Sequence, residues 1–378
     1  MPVPSVGGMT RIDRILGALL SLAVTAVGVL WWTTPDSYPF GARDRVTVSL
    51  SHLIEHGVAG PMMVVAGLVG LAAVFAPRPV LRAGAVAQVL FFGVVMSDAG
   101  IMSLLGYVMA VLGPVALIGI VVMACVRGRR SGFVGLAALA AVMVAGTVTG
   151  VASPGMIWLL FGRLAASFSS YSERLAWTLA DAAACAVWVM IAVRAFRGGE
   201  PPRWIRPEAV VRWGRFTTIG AALCPLPYAI YRLTWLTPWP TDTDLTGPHL
   251  DPGTRLQGVS IAVGALISAV LTLGLISRWG EVFPRWVPVY HGRPVPVRLP
   301  VVAGGLIAGA CCIASPGLAI NAVERGQLGF LLLWPYPLWG ALLAAAVFAY
   351  WLRRRSGTAL RGEAGQENSG IDDSVLLR

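Results

Sequence analysis

The chain has 378 residues, 56% of them hydrophobic and 12% charged, with a net charge of +11 and a mean hydropathy of +0.73. A soluble domain is about a quarter charged; half that density, set in long apolar runs, makes lipid the main solvent and excludes an ordinary soluble enzyme. All 29 basic residues are arginine, which excludes a retinal or pyridoxal Schiff base and a lysine-bearing phosphate loop.

Ten apolar segments follow in chain order, at about 15–33, 57–76, 83–101, 104–126, 133–152, 175–195, 216–236, 257–277, 299–320 and 328–351. A helix needs ~20 residues at ~1.5 Å rise to cross a hydrocarbon core of ~30 Å, and most of these runs meet that length. The expected fold is all-α, a polytopic transmembrane helix bundle of about ten spans within one transmembrane domain over residues 1–355. The first run, Ile15 to Trp32, is long for a signal peptide and lacks a clean cleavage site, so it reads as a retained helix. The third and fourth segments form one run, divided at Ser97-Asp98-Ala99-Gly100, where a charge and a glycine permit a tight outer turn. Gly155 to Phe168, with Trp158 and Phe161, reads as a helix lying on the outer surface. The polar tail over 356–378 is expected to be a disordered cytoplasmic segment.

Charge bias sets the expected orientation. Arg11 and Arg14, Arg78 and Arg82, Arg127 to Arg130, Arg194 to Arg215, Arg278 to Arg298, and Arg353 onward place 22 arginines on one side and leave seven on the other. Both termini are then cytoplasmic and the location is the cytoplasmic membrane. Trp31, Trp32, Trp235 and Trp239 fall at proposed outer ends, where indoles prefer the interface. Arg203-Trp204, Arg212-Trp213, Arg278-Trp279 and Arg285-Trp286 suit anionic lipid headgroups at the inner face. Because these arginines sit between apolar runs, the net charge does not point to nucleic acid. The five cysteines lie within or at the ends of apolar runs, in no disulfide or zinc spacing, and read as small apolar residues.

Three features carry candidate chemistry. His52-Leu53-Ile54-Glu55-His56 has the order of an inverted zinc-protease motif, which on a helix puts both imidazoles on one face. His249 and its neighbouring aspartates are candidates to converge on it. A third ligand at protease spacing is absent, so no metal and no cofactor is assigned. Asp181 lies about 10 Å inside the sixth segment, where a pair with Arg232 is expected, joined by Asp98. Pro225-Leu226-Pro227, Pro335-Tyr336-Pro337 and Pro114 predict interrupted helices, the sequence pointer to a transporter site. Gly146-x-x-x-Gly150 and Gly305-x-x-x-Gly309 read as bundle packing. Ala152-Ser153-Pro154-Gly155 and Ala314-Ser315-Pro316-Gly317 read as two matching helix stops.

The stretch Arg278-Trp279-Gly280-Glu281-Val282-Phe283-Pro284-Arg285-Trp286-Val287-Pro288, continuing to Gly292-Arg293-Pro294-Val295-Pro296, resembles a segment of uncharacterised multipass membrane proteins of actinobacteria. The resemblance covers about residues 216–320. It implies an actinobacterial source and a cell-membrane location, and it assigns no catalytic residue. Three functional expectations follow: a permease-like transporter of a small solute or lipid, a membrane-embedded metal or haem protein with an outer-face site, and a non-catalytic scaffold or partner subunit.

Overall fold

The structure, a computed structural model, describes residues 9–40, 48–128, 130–148, 172–196, 203–236, 252–284 and 290–375, with single positions at 155, 158, 162, 166 and 287. Among the described residues every regular element is a helix, and extended backbone pairs only at two isolated bridges, Ser49 with Asp98 and Val282 with Pro294. The longer helices are α1 (Arg11–Thr33), α2 (His56–Phe75), α3 (Arg78–Leu90), α4 (Gly100–Val126), α5 (Arg130–Val148) and α6 (Ser172–Phe196). They continue with α7 (Pro207–Leu223), α8 (Leu226–Leu233), α9 (Pro252–Leu273), α10 (Arg298–Glu324), α11 (Gly329–Leu333) and α12 (Tyr336–Val375).

Seven helical stretches among the described residues are long and apolar enough to cross a membrane, as a multipass membrane protein requires: Arg11–Thr33, His56–Phe75, Arg78–Val95, Ser172–Phe196, Gly258–Ile276, Arg298–Glu324 and Gly329–Gly357. The expected spans over 104–126, 133–152 and 216–236 are not among these seven. The first two run partly through side chains outside the described set. The third is cut by proline into helices of 17 and eight residues.

The chain forms two compact units. The first comprises Met1–Met109, Ile157–Glu200 and Ala310–Tyr336; the second comprises Ala110–Met156, Pro201–Gly309 and Pro337–Arg378. In the first unit α1 and α2 approach closely because glycine removes the side chain at the contact. A Cβ on Gly28 would lie 2.8 Å from the Gly60 carbonyl oxygen, and one on Gly67 would lie 2.7 Å from the Ser21 carbonyl oxygen. Small residues play this part in membrane helices, where burial of apolar surface gives no drive for association.

α6 lies antiparallel to α1 in one register: Asp13 meets Arg194, Gly17 meets Ile191, and Trp31 meets Trp177 with ring centroids 4.6 Å apart. Arg82 of α3 joins the same end, donating through Nε to the Ala195 carbonyl at 3.0 Å and lying over the Phe196 ring. The helix ends bearing Arg82 and Arg194 thus lie together, as the charge bias requires of them. α1 starts on a capping box between Thr10 and Asp13, which satisfies two of its free amides. Trp31 is buried at 3% exposure, packed on Tyr38 and Trp177, and Trp235 is buried too. Trp32 is exposed.

Proline interrupts some helices and is carried within others. α7 ends at Leu223 and α8 begins at Leu226, so Pro225-Leu226-Pro227 does interrupt a helix. Pro335-Tyr336-Pro337 likewise separates α11 from α12. Pro114 does not, since α4 runs unbroken from Gly100 to Val126. The stop expected at Ala314-Ser315-Pro316-Gly317 is also corrected: α10 continues through Pro316 to Glu324, with the Ser315 hydroxyl donating to the Cys311 carbonyl at 2.5 Å. Its counterpart over 152–155 falls mostly outside the described residues, as do His249, Trp239 and most of 155–168. A Cβ on Gly305 or Gly309 would meet nothing within 4 Å among the described residues, so that pair forms no packing seam with them. α12 extends to Val375, into the tail where sequence predicts disorder. The five cysteines are free thiols.

Candidate functional site

The candidate site lies in the first unit, at the end opposite Arg194. α3 closes in a π-helical turn over Phe91–Val95, with the Met96 amide donating to the Phe91 carbonyl at 2.9 Å. Such turns widen the backbone and recur at functional positions. The chain then reverses through Ser97, Asp98 and Ala99 into α4. This reversal falls at the tight turn expected over Ser97-Asp98-Ala99-Gly100. It is closed in: Ser97 and Asp98 are each 0% exposed. An extended segment before α2 covers it, with the Ala99 amide donating to the Val48 carbonyl at 3.1 Å and Ser49 bridged to Asp98.

A buried carboxylate needs donors, and Asp98 has four. Arg174 donates from Nε to Oδ2 at 3.0 Å and from Nη2 to Oδ1 at 2.8 Å. The Thr178 hydroxyl donates to Oδ2 at 2.7 Å and the Gly100 amide to Oδ1 at 3.0 Å. The planar guanidinium matches the carboxylate in the two-pronged geometry that only arginine supplies. The Phe40 ring packs against the same guanidinium, 5.4 Å from centroid to Cζ.

Asp181 is the anomaly. It lies one helical turn below Thr178, on the face of α6 that carries Arg174, because positions 174, 178 and 181 share one stripe. It is 1% exposed and within electrostatic range of Asp98. Both of its carboxylate oxygens lack a hydrogen-bond partner among the described residues, as do the buried Ser49 hydroxyl and the Trp177 indole nitrogen. Unsatisfied polar groups inside a bilayer cost several kcal/mol each.

The structure therefore places Asp181 within electrostatic range of Asp98, and Asp98 itself is paired with Arg174. Arg232 is engaged within the second unit: its Nε donates to the Tyr228 hydroxyl at 2.7 Å and its guanidinium lies 3.9 Å from the Trp235 ring centroid. The His52-Glu55-His56 motif is not on one helix. His52 sits in a 3-10 turn over Leu50–Leu53, Glu55 is the residue capping α2, and His56 is its first residue. Glu55 and His56 are exposed. His52 instead turns to Glu324, with Nε2 3.3 Å from Oε1, a partner that nothing in the motif announced. Among the described residues no group of three or more His, Cys, Asp or Glu side chains could hold a metal ion.

Two apolar grooves mark the first unit, of about 620 Å³ between α2 and α3 and about 210 Å³ between α3 and α6; neither is lined by Asp98, Arg174 or Asp181. No family model, curated protein or solved structure matches the chain.

Proposed function

We propose that this protein is a permease-like transporter of a small solute or lipid, with a proton- or cation-responsive centre at Asp98, Arg174, Thr178 and Asp181. The observation that carries the reading is Asp181, fully buried in a helix long enough to span a membrane, with both oxygens unpartnered among the described residues. An ionised carboxylate at the middle of a span costs ~2.5–3.5 kcal/mol on insertion scales, so such groups mark proton and ion pathways. The interruptions at Pro225 and Pro335 add backbone carbonyls that a substrate can use. In this reading the chain has about ten spans with both termini in the cytoplasm. The arginine-rich ends face the cytoplasmic leaflet and its anionic lipids, and Asp98 lies toward the outer face. The resemblance at 278–296 supports an actinobacterial cell membrane as the setting.

Ligand-induced stabilisation tests this reading. Purified full-length protein would be heated with representative amino acids, sugars, nucleosides and lipid precursors, beside Asp181→Asn. A ligand at 100 times its Kd stabilises by ~2.7 kcal/mol. The expected result is one class that raises the melting temperature of the parent and not of the variant. Equal shifts in both proteins, or none with any class, would overturn it. A scaffold is the second reading, favoured by the two grooves that stop short of Asp181.

A further inference from the structure

His52 stands apart from the centre proposed for transport, and its surroundings specify a charge state. The ring Nδ1 faces the Ser49 carbonyl oxygen and Nε2 lies 3.3 Å from Glu324 Oε1. Both neighbours are acceptors. A neutral imidazole carries one N–H, so one ring nitrogen would turn its lone pair toward an acceptor. Only the imidazolium donates to both. Imidazoles change charge between about pH 5 and 8.

The residue is well placed to act on structure. Its side chain is 9% exposed and that of Glu324 is 39% exposed, so a proton from water can reach the pair. Ser49, whose carbonyl it holds, is the residue bridged to Asp98. On the other side, Gly317 of α10 packs against Val48 and Ser49 so closely that a Cβ would lie 2.1 Å from the Val48 carbonyl oxygen. The segment from Val48 to Ile54 is thus held between Asp98 and α10, and His52 ties it to the end of α10. The charged groups around it are Glu324 at the end of α10 and exposed Arg325 just past it, exposed Glu55 and His56 at the start of α2, and the Asp98–Arg174 pair behind the Ser49 bridge.

We propose that His52, the Ser49 carbonyl and Glu324 form a proton-binding site, and that taking up one proton latches the 48–54 segment onto α10. The proton comes from water and binds the ring nitrogen, so that both nitrogens donate. Its loss leaves one acceptor unsatisfied and loosens the tie between His52 and the end of α10, while the bridge to Asp98 stays. The site stands independently of any transported solute.

Four histidines make the test tractable. Nitrogen-15 magnetic resonance on histidine-labelled full-length protein reads each ring's protonation, and His52→Gln assigns the signal. The expected result is an imidazolium at pH 5 that loses one proton by pH 8. Glu324→Gln removes the anionic partner, so the imidazolium should give way at a lower pH, while the His56 signal stays unmoved. A spin label at Leu53→Cys, an exposed position, should be immobile at pH 5 and mobile at pH 8, and mobile throughout in Glu324→Gln. The parent with its own cysteines is the blank. An unchanged His52 titration in Glu324→Gln overturns the site. Label mobility that is the same across the range overturns the latch.

Discussion

At the scale of the residue, the pair between Asp98 and Arg174 decides whether the first unit holds together. Removing one partner leaves the other charged and buried, which costs about 3–5 kcal/mol. Arg174→Gln should therefore lower stability by that order in denaturant unfolding of the purified protein. Arg174→Lys should recover only part of it, because an ammonium cannot make both bonds to Asp98. Full recovery by lysine would show that charge alone matters. Asp98 and Asp181 were legible in the sequence as carboxylates within apolar runs. The partner of Asp98 was not, because Arg174 counts in a charge tally as one more arginine of an outer loop. The missed signal was spacing, since 174, 178 and 181 fall on one helical face. The His52–Glu324 contact joins residues 272 apart in sequence, and no local pattern reports such a pairing.

At the scale of the element, glycine and proline act through backbone geometry. The interruptions at Pro225 and Pro335 were legible because two prolines in three residues remove neighbouring donors. Pro316 was read as a stop yet sits inside α10, where helical neighbours and Ser315 accommodate it. Short glycine motifs were poor guides to packing. Gly305 and Gly309 face open space, whereas Gly317 meets the Val48 backbone. A methyl group added at Gly317 must push backbone aside, and overpacking of this kind costs about 1–3 kcal/mol. Gly317→Ala should lower the melting temperature by several degrees, while Gly309→Ala should leave it unchanged or raise it slightly through better helix propensity. Equal effects of the two substitutions would contradict the contact between α10 and the 48–54 segment.

At the scale of the whole molecule, hydropathy and arginine placement made the helical class and the grouping of several helix ends legible. The ends of α1, α3 and α6 that carry Asp13, Arg82 and Arg194 do meet. The number of spans was less legible, because apolar runs over 83–126 and 216–236 merge or break at turns that hydropathy averages over. Reporter fusions after Arg82 and after Leu245 should report opposite sides of the membrane, the first cytoplasmic. Agreement between the two would remove the ten-span topology. The central claim, that the buried carboxylates form a working proton or cation centre, is tested most directly in proteoliposomes. Full-length protein would be reconstituted with a pH-sensitive dye inside, and an inside-negative potential imposed at outer pH 5 and pH 8, with and without pooled small solutes. The account predicts protein-dependent internal acidification that falls at least about tenfold in Asp181→Asn, a loss of roughly 1.4 kcal/mol or more in the barrier. Acidification of the same size in Asp181→Asn, or none in the parent under any of these conditions, would contradict it.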